Sequence, residues 1–279
     1  MELKPLSPTN DFVFRKVFSG NLTVLKDFLK TVLDLPAEEY KDLEIIDPNL
    51  GREFIEDKLG ILDVKVTLVS GKVLNIEVQI KPQRSIWKRM LFYASKMVVG
   101  QVKSGYQYEQ INRVISILIA DFVMVKESGA CHHRFRLYDE NTKVHFPDSI
   151  EINVLELPKM QKAEGTPLGN WLRFLSAKTE EEFMAVAQTN PAINEAWNAI
   201  KYLSGDEQAR ALAEAREKAR MDMDSLLGDA RYEGREEGRE EAMYSVAQKA
   251  LRKKMAHEAI AELTGLSLEE VKKLAADLS

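Results

Sequence analysis

Two short apolar stretches, joined by a polar turn, constrain the fold of this chain more than any other feature. They cover residues 61–66 and 74–79, and Ser70-Gly71-Lys72 lies between them. Each stretch alternates apolar and polar side chains over six residues, which is typical of a β-strand. A glycine in a short polar turn between two such runs favours a β-hairpin. We therefore predict a hairpin over residues 61–79.

Polar side chains lie at alternate positions of both predicted strands. Residues two apart on a strand point to the same face, so Asp63 shares a face with Lys65, and Glu77 shares a face with Gln79. The hairpin is expected to bring two carboxylates, an amide and an amine together. A carboxylate in an apolar strand is costly unless it is compensated, and a divalent cation bound by oxygen ligands is one compensation. The other is an ordinary cross-strand ion pair with Lys65.

The first part of the chain has the pattern of a mixed α/β sheet domain. Helical periods alternate with β-branched and alternating runs, and residues 114–125 form a continuous apolar run that favours a buried strand. We predict helices over 12–18, 22–33 and 85–103, and strands over 43–47, 61–66, 74–79, 114–125, 134–138 and 150–157. Their order is helix, strand, hairpin, helix and three strands, which indicates an α/β domain over residues 1–160.

The remainder of the chain has helical periods only. We predict a helical extension over 161–205, then an Ala/Glu/Arg-rich helix and a small helical hairpin over 206–279. The near repeat at 233–241 contains two glycines, which favour a flexible or conditionally helical connector. The final hairpin is predicted as helices over 245–263 and 268–278. Its spacing also fits a helix-turn-helix, but the second helix carries too many acids for a groove reader, so a packing or regulatory hairpin is favoured.

The predicted helix after the hairpin has a purely cationic polar face. Its basic residues fall within an arc of about 140°, and no acidic residue occurs between Lys81 and Tyr108. Such a face is either a solvated surface or a ridge that follows phosphates beside the acidic strands. The basic residues of this face are Arg84, Lys88, Arg89, Lys96 and Lys103.

Composition narrows the classes of protein. The formal net charge of −5 argues against wholesale attraction to nucleic acid, although a local basic patch is compatible with it. A single cysteine, Cys131, forms no internal disulfide, and a cytoplasmic setting is expected. The segment Cys131-His132-His133 lacks the spacing of a zinc site and is predicted as a polar loop. No apolar run is long enough to cross a bilayer, and no glycine-rich phosphate loop follows a strand.

The hairpin resembles the PD-(D/E)XK nuclease superfamily. The motif residues are Gly60 to Lys65 and Asn75 to Gln79. More narrowly, the chain resembles the family of recombination-promoting nucleases and transposases, with further matches at Asp11 to Phe18, at Arg89 with Tyr93, and in the Glu-Gly-Arg-rich tail. The resemblance covers most of the chain. It implies a PD-(D/E)XK-like mixed sheet flanked by helices and a bacterial DNA endonuclease linked to recombination, mobile elements or phage defence.

The resemblance also implies site residues. Asp63 and Glu77 match the two acidic metal ligands, and the backbone carbonyl of Val78 is a third ligand. The implied cofactor is Mg²⁺, with Mn²⁺ and Ca²⁺ as alternatives. Gln79 stands where the wider superfamily has a lysine, and its side chain cannot carry a charge. Lys65 or Lys81 is therefore expected to supply the positive charge, while Gln79 orients the attacking water. The expected phosphate contacts are Lys81, Arg84, Lys88, Arg89 and Lys96.

Two further interpretations remain open at this stage. Because Gln79 replaces a charged residue, the chain could be a disabled module that binds DNA or a protein without cutting. The Ala-rich segment and the final hairpin could instead form a homodimer that sets or masks activity. The partners predicted from sequence are therefore DNA and a second copy of the chain, with no membrane.

Overall fold

The computed structural model describes residues 4–46, 64–102, 107–147 and 150–278. The chain divides into two compact units, residues 1–216 and 217–279. The first unit contains the sheet and the second contains only helices. The predicted three-part division at residues 160 and 205 stays a prediction. No helix in the described part of the chain is both long and apolar enough to cross a membrane.

A mixed sheet forms the centre of the first unit. Its strands lie in the order β1-β2-β3-β4-β6-β5. The pairs β3–β4 and β4–β6 are parallel, and the other three pairs are antiparallel. The strands are β1 (Glu44–Ile46), β2 (Val64–Thr67), β3 (Val73–Gln79), β4 (Val114–Ala120), β5 (His132–Arg136) and β6 (Ile150–Glu156). The predicted mixed α/β sheet is confirmed.

Helices cover both faces of this sheet. On one face, Leu74, Ile76 and Val78 of β3 enter a large core with α1, α2 and α4. On the other face, α3 packs against β4 and β6 through Ile86 and Met90. The helices of the first unit before the long one are α1 (Asp11–Gly20), α2 (Leu22–Val32), α3 (Ile86–Val99), α4 (Pro167–Ser176), α5 (Glu180–Ala187) and α6 (Pro191–Gly205).

Aromatic side chains organise the large core. Phe18 contacts both Phe14 and Phe28, and Trp171 of α4 contacts Phe18 and Phe28 at centroid distances of 5.7 and 5.5 Å. All four rings are buried. The side chain of Asn10 caps α1 by accepting hydrogen bonds from two amides of its first turn. This packing holds α1 and α2 against the sheet and so fixes β3, whose opposite face carries the candidate site.

Strand β4 is shorter than predicted. It ends at Ala120 rather than at residue 125, although the apolar run continues. The amides of Met124 and Val125 do not join the sheet, because both donate to the carboxylate of Glu156. A buried side chain thus replaces the strand ladder as the acceptor for this segment. Helix α3 likewise ends at Val99 rather than at residue 103; Lys103 lies outside the described residues.

Strand β5 corrects the prediction of a polar loop at residues 131–133. His132 begins the strand and pairs with Leu155 of β6. The ring of His132 is 2.9 Å from the Asn153 side chain, and that of His133 is 3.1 Å from Glu156. These polar contacts stabilise the two histidines in a strand. The sequence did not indicate a strand at 132–133, because these residues have no apolar pattern.

The C-terminal part is more helical than predicted. The near repeat at 233–241 lies within one helix, α7 (Glu207–Arg252), rather than in a separate connector. The predicted helix over 245–263 is wrong: α7 ends at Arg252, Lys254 adopts a φ of 59°, and α8 (His257–Thr264) follows. Helix α9 (Leu268–Asp277) begins with the expected capping box, in which Ser267 and Glu270 bond each other's backbone amides.

Candidate functional site

The candidate site lies on the face of β3 that α3 covers. Leu74, Ile76 and Val78 point into the core on the other side, so Glu77 and Gln79 share the α3 face. In the register of β3 with β4, Glu77 lies opposite Leu118, which packs against α3. The predicted metal ligand Asp63 lies outside the described residues, which resume at Val64, the first residue of β2.

Glu77 is a buried carboxylate held against a cation of α3. Its side chain is 6% exposed, and its Oε2 lies 3.7 Å from Nη2 of Arg89. Oε2 is buried without a hydrogen-bond partner, and so is Nε of Arg89. Burial raises the pKa of Glu77, while the Arg89 guanidinium acts to lower it. The carboxylate is therefore paired electrostatically but not saturated with hydrogen bonds.

Two other buried carboxylates show what saturation looks like in this fold. Glu151 accepts hydrogen bonds from Arg136 at 2.7 Å and from the side-chain amide of Asn153 at 3.0 Å. Two more arginines lie 3.5 and 3.9 Å from its carboxylate. Glu156 pairs with Lys159 at 2.5 Å and also accepts two backbone amides. Of these three, only Glu77 keeps a buried oxygen without a hydrogen-bond donor. Buried polar atoms without a partner are uncommon in native structures, and a catalytic role or a bound ion is one explanation for them.

Gln79 ends β3 at the edge of the site. It is half-buried, and its backbone carbonyl accepts a hydrogen bond from the amide of Asp121 at 2.9 Å. Val78 directs its side chain into the core, away from the Glu77 face. Further down β3, the side chain of Asn75 accepts a 2.6 Å hydrogen bond from Ser116. This hydrogen bond gives the side-chain oxygen of Asn75, two residues before Glu77 on the same face, a buried donor on β4.

Lys65 lies on the site's face of β2. It pairs with Asn75 in the antiparallel register, while its neighbours Val64 and Val66 enter the core. Burial lowers the pKa of the Lys65 amine. The described ion pair of Glu77 is with Arg89, so the alternative of a Lys65–Glu77 ion pair is not what the structure shows.

The predicted cationic face of α3 divides into two groups. Arg84 and Lys88 are exposed to solvent, as is Lys81 in the preceding turn. Arg89 instead turns toward Glu77, with its guanidinium 5.6 Å from the centroid of the Tyr93 ring. Lys96 lies 4.4 Å from the centroid of the Phe92 ring. Arg89 thus belongs to the acidic site itself, whereas Arg84 and Lys88 are free to meet solvent-borne anions.

Asp121 is a polar residue at this edge that sequence reasoning missed. Because β3 and β4 are parallel, their carboxyl ends meet at one edge of the sheet, where Asp121 directly follows β4. Burial raises the pKa of its carboxyl, and Lys178 opposes that shift. Its position immediately after a buried parallel strand was the signal available in the sequence.

The described residues contain no cluster of three or more histidine, cysteine or acidic side chains suited to a metal. Glu77 nevertheless fits one half of a two-carboxylate site, since a hard cation prefers carboxylate oxygens and one oxygen of Glu77 lacks a donor. Asp63, the other predicted ligand, is outside the part of the chain that the structure describes, so its role stays a prediction.

A family model described as PD-(D/E)XK nuclease family transposase matches residues 8–230. The chain belongs to this family. The match spans the whole sheet, Glu77 and the cationic helix α3. No curated protein and no solved structure matches the chain. The resemblance expected from the sequence is confirmed, and with it a nuclease or transposase-like function for the PD-(D/E)XK domain.

Proposed function

We propose that this chain is a metal-dependent DNA endonuclease of low sequence specificity. The observation that carries the proposal is the buried, unsaturated oxygen of Glu77 beside a cationic helix, in a chain of a nuclease family. Glu77 and Asp63 would hold Mg²⁺, or Mn²⁺ or Ca²⁺ in its place, and the carbonyl of Val78 would complete the set. A bound divalent cation supplies activation of a water molecule and neutralisation of the phosphate.

The protein's own groups would perform the remaining tasks. Gln79, at the open end of β3, can orient the attacking water through its side-chain amide. Lys65, on the same face, adds positive charge where the superfamily lysine is missing. Arg89 forms the described ion pair with Glu77 and acts against the rise in pKa that burial causes. We therefore assign Arg89 to the site as well as to phosphate contact.

Contacts to the flanking DNA would come from exposed cations. The exposed cations around the start of α3 are Lys81, Arg84 and Lys88. Lys96 is half-buried and lies about two turns after Lys88 on the same helix. Lysine and arginine contacts to phosphates carry no base information, which supports low sequence specificity. The family and the DNA substrate support a role in recombination, mobile elements or phage defence, in the cytoplasm of a bacterium.

The test is nicking of a supercoiled plasmid in Mg²⁺ or Mn²⁺ by the unaltered protein, Asp63→Ala and Glu77→Ala. Loss of nicking in both variants, with retained DNA binding, supports the proposal. Equal nicking by all three proteins would overturn the assignment of the site. Strong DNA binding with no cleavage in any divalent cation would favour the disabled binding module, for which Gln79 is the sequence argument.

A further inference from the structure

Helix α7 carries an exposed apolar seam within the unit of residues 217–279. The seam residues recur at intervals of three or four, with Leu227 directly after Leu226, and fall within an arc of about 120° at 3.6 residues per turn. Its large members Met223, Leu226 and Leu227 are 57%, 64% and 49% exposed. Apolar side chains at helical spacing normally mark the face that a helix buries. The seam consists of Ala219, Met223, Leu226, Leu227, Ala230, Gly234 and Gly238.

Charges of opposite sign border the two sides of the seam. From residue 228 to residue 238, one side of the seam carries Arg231 and Arg235, about 80° and 120° from its centre. The other side carries Asp229, Glu233 and Glu237, about 120°, 80° and 40° from the centre. Glu236 and Arg239 lie about 140° and 160° away, on the opposite side of the helix.

A single copy of α7 does not pair these charges well. Arg231 and Arg235 have no acidic residue three or four positions away, and they are four apart themselves. Glu233 and Glu237 are likewise four apart, and neither has a basic residue three or four positions away. Like charges four apart on a helix repel each other and weaken it. The charge pattern is therefore one that a lone helix does not explain.

The two glycines of the seam add to this argument. A glycine inside a helix is destabilising relative to alanine. A Cβ atom built at Gly234 or Gly238 would meet nothing within 4 Å, so the fold of one chain does not require glycine there. A second backbone approaching along the seam would require it.

We propose that this seam binds the same seam of a second copy of the chain, with the two α7 helices parallel. In a parallel pair, each helix sets its arginine border against the acidic border of the other, on both sides of the seam. In an antiparallel pair, arginine would face arginine and acid would face acid. The charge pattern thus selects both the partner and its direction, and this inference does not depend on the proposed nuclease activity.

Disulfide cross-linking of the full chain tests the direction. Met223→Cys and Ala230→Cys lie on the seam, and Ser225→Cys lies on the opposite side of the helix as the matched control. The native Cys131 is buried in the other unit, so the unaltered chain serves as the blank. Positions 223 and 230 are about 10 Å apart along the axis, whereas a disulfide requires Cα atoms within about 7 Å.

Parallel pairing predicts that both seam variants form disulfide-linked dimers at least tenfold faster than Ser225→Cys. It also predicts no mixed dimer when the 223 and 230 variants are combined, one of them carrying a mass tag. A dominant mixed dimer would show antiparallel helices and overturn the proposal. Equal rates at all three positions, or none above the blank, would also overturn it.

A charge exchange tests the pairing itself. Replacing Arg231 and Arg235 by glutamate gives one variant, and replacing Glu233 and Glu237 by arginine gives its complement. Sedimentation equilibrium is expected to show at least tenfold weaker self-association of each full-length variant and recovery in their equimolar mixture. Circular dichroism checks that α7 remains helical. Unchanged self-association of both variants, or a monomeric unaltered chain at tens of micromolar, would contradict the proposal.

Discussion

The guanidinium of Arg89 lies 3.7 Å from the carboxylate of Glu77, close enough to attract it but without a hydrogen bond between them. Charge compensation and hydrogen-bond satisfaction are therefore separated at this site. At Glu156 they coincide, because Lys159 and two backbone amides supply both. An acid whose charge is tolerated but whose lone pairs are unused is suited to a further electrophile, and this relationship is the physical basis for the proposed metal ligand.

Replacing Glu77 by glutamine is expected to abolish nicking while leaving the fold intact. Glutamine has the same shape but lacks the anionic oxygen, so plasmid nicking in Mg²⁺ is expected to fall at least about a hundredfold. DNA binding without divalent cation is expected to be unchanged within about twofold. Glu109→Gln, at an exposed position, is the control and is expected to nick normally. Nicking by Glu77→Gln at the unaltered rate would contradict the role of Glu77.

Arg89 and Lys88 are adjacent on α3 but are expected to differ in effect. Arg89 opposes the burial that raises the pKa of Glu77, so Arg89→Ala raises that pKa further and favours the protonated acid. The acidic limb of the nicking rate is therefore expected to move to higher pH. Lys88 is exposed and has no such contact, so Lys88→Ala is expected to leave the limb in place. Rate measurements from pH 5 to 9 distinguish the two; parallel profiles would contradict the role of Arg89.

Much of the sheet could be predicted from the sequence, because its signals are local. The buried run at 114–120 and the alternation at 150–156 are read directly from side-chain type, and both strands are confirmed. The end of β4 could not be predicted, since it depends on Glu156, which is distant in sequence and captures two amides. Strand β5 was missed in part for the same reason: its histidines are stabilised by partners on β6.

The candidate site was predictable in its face but not in its pairing. Alternation along β3 predicted that Glu77 and Gln79 point together, and the core packing of Ile76 and Val78 agrees. The contact with Arg89 needed the crossing of α3 over β3, which no periodicity specifies. From the sequence, Arg89 was one of several equivalent cations on a helix face. In the structure it is the cation that meets the buried acid.

The exposed cations of α3 are expected to set the salt dependence of DNA binding. Removing one cation that binds a phosphate reduces the slope of log K against log salt by about 0.9 for duplex DNA. Arg84→Ala and Lys88→Ala are each expected to show that reduction, and the double variant twice that amount. Fluorescence anisotropy with two unrelated duplex sequences at several salt concentrations measures the slope, and the reduction should be the same for both. Arg173→Ala, on α4, is the control and should leave the slope unchanged.

Stability is expected to respond to pH in opposite senses at Glu77 and Glu156. Burial raises the pKa of folded Glu77 above the usual value of 4.5, so its ionisation costs the folded state free energy as pH rises through that range. The pKa of Glu156 is lowered: burial opposes ionisation, but Lys159 and two amides outweigh it. Its stabilising effect is present above pH 4.5 and is lost as pH falls through the folded pKa.

Urea unfolding of Glu77→Gln and Glu156→Gln against the unaltered chain between pH 3 and 8 measures these two contributions. Relative to the unaltered chain, Glu77→Gln is expected to gain free energy of unfolding as pH rises above 4.5. Glu156→Gln is expected to have a lower free energy of unfolding than the unaltered chain at neutral pH. This difference is expected to shrink in acid, because Glu156 of the unaltered chain is then protonated and loses its charge. Curves of the same sign for both variants would contradict the opposite pKa shifts assigned to Glu77 and Glu156.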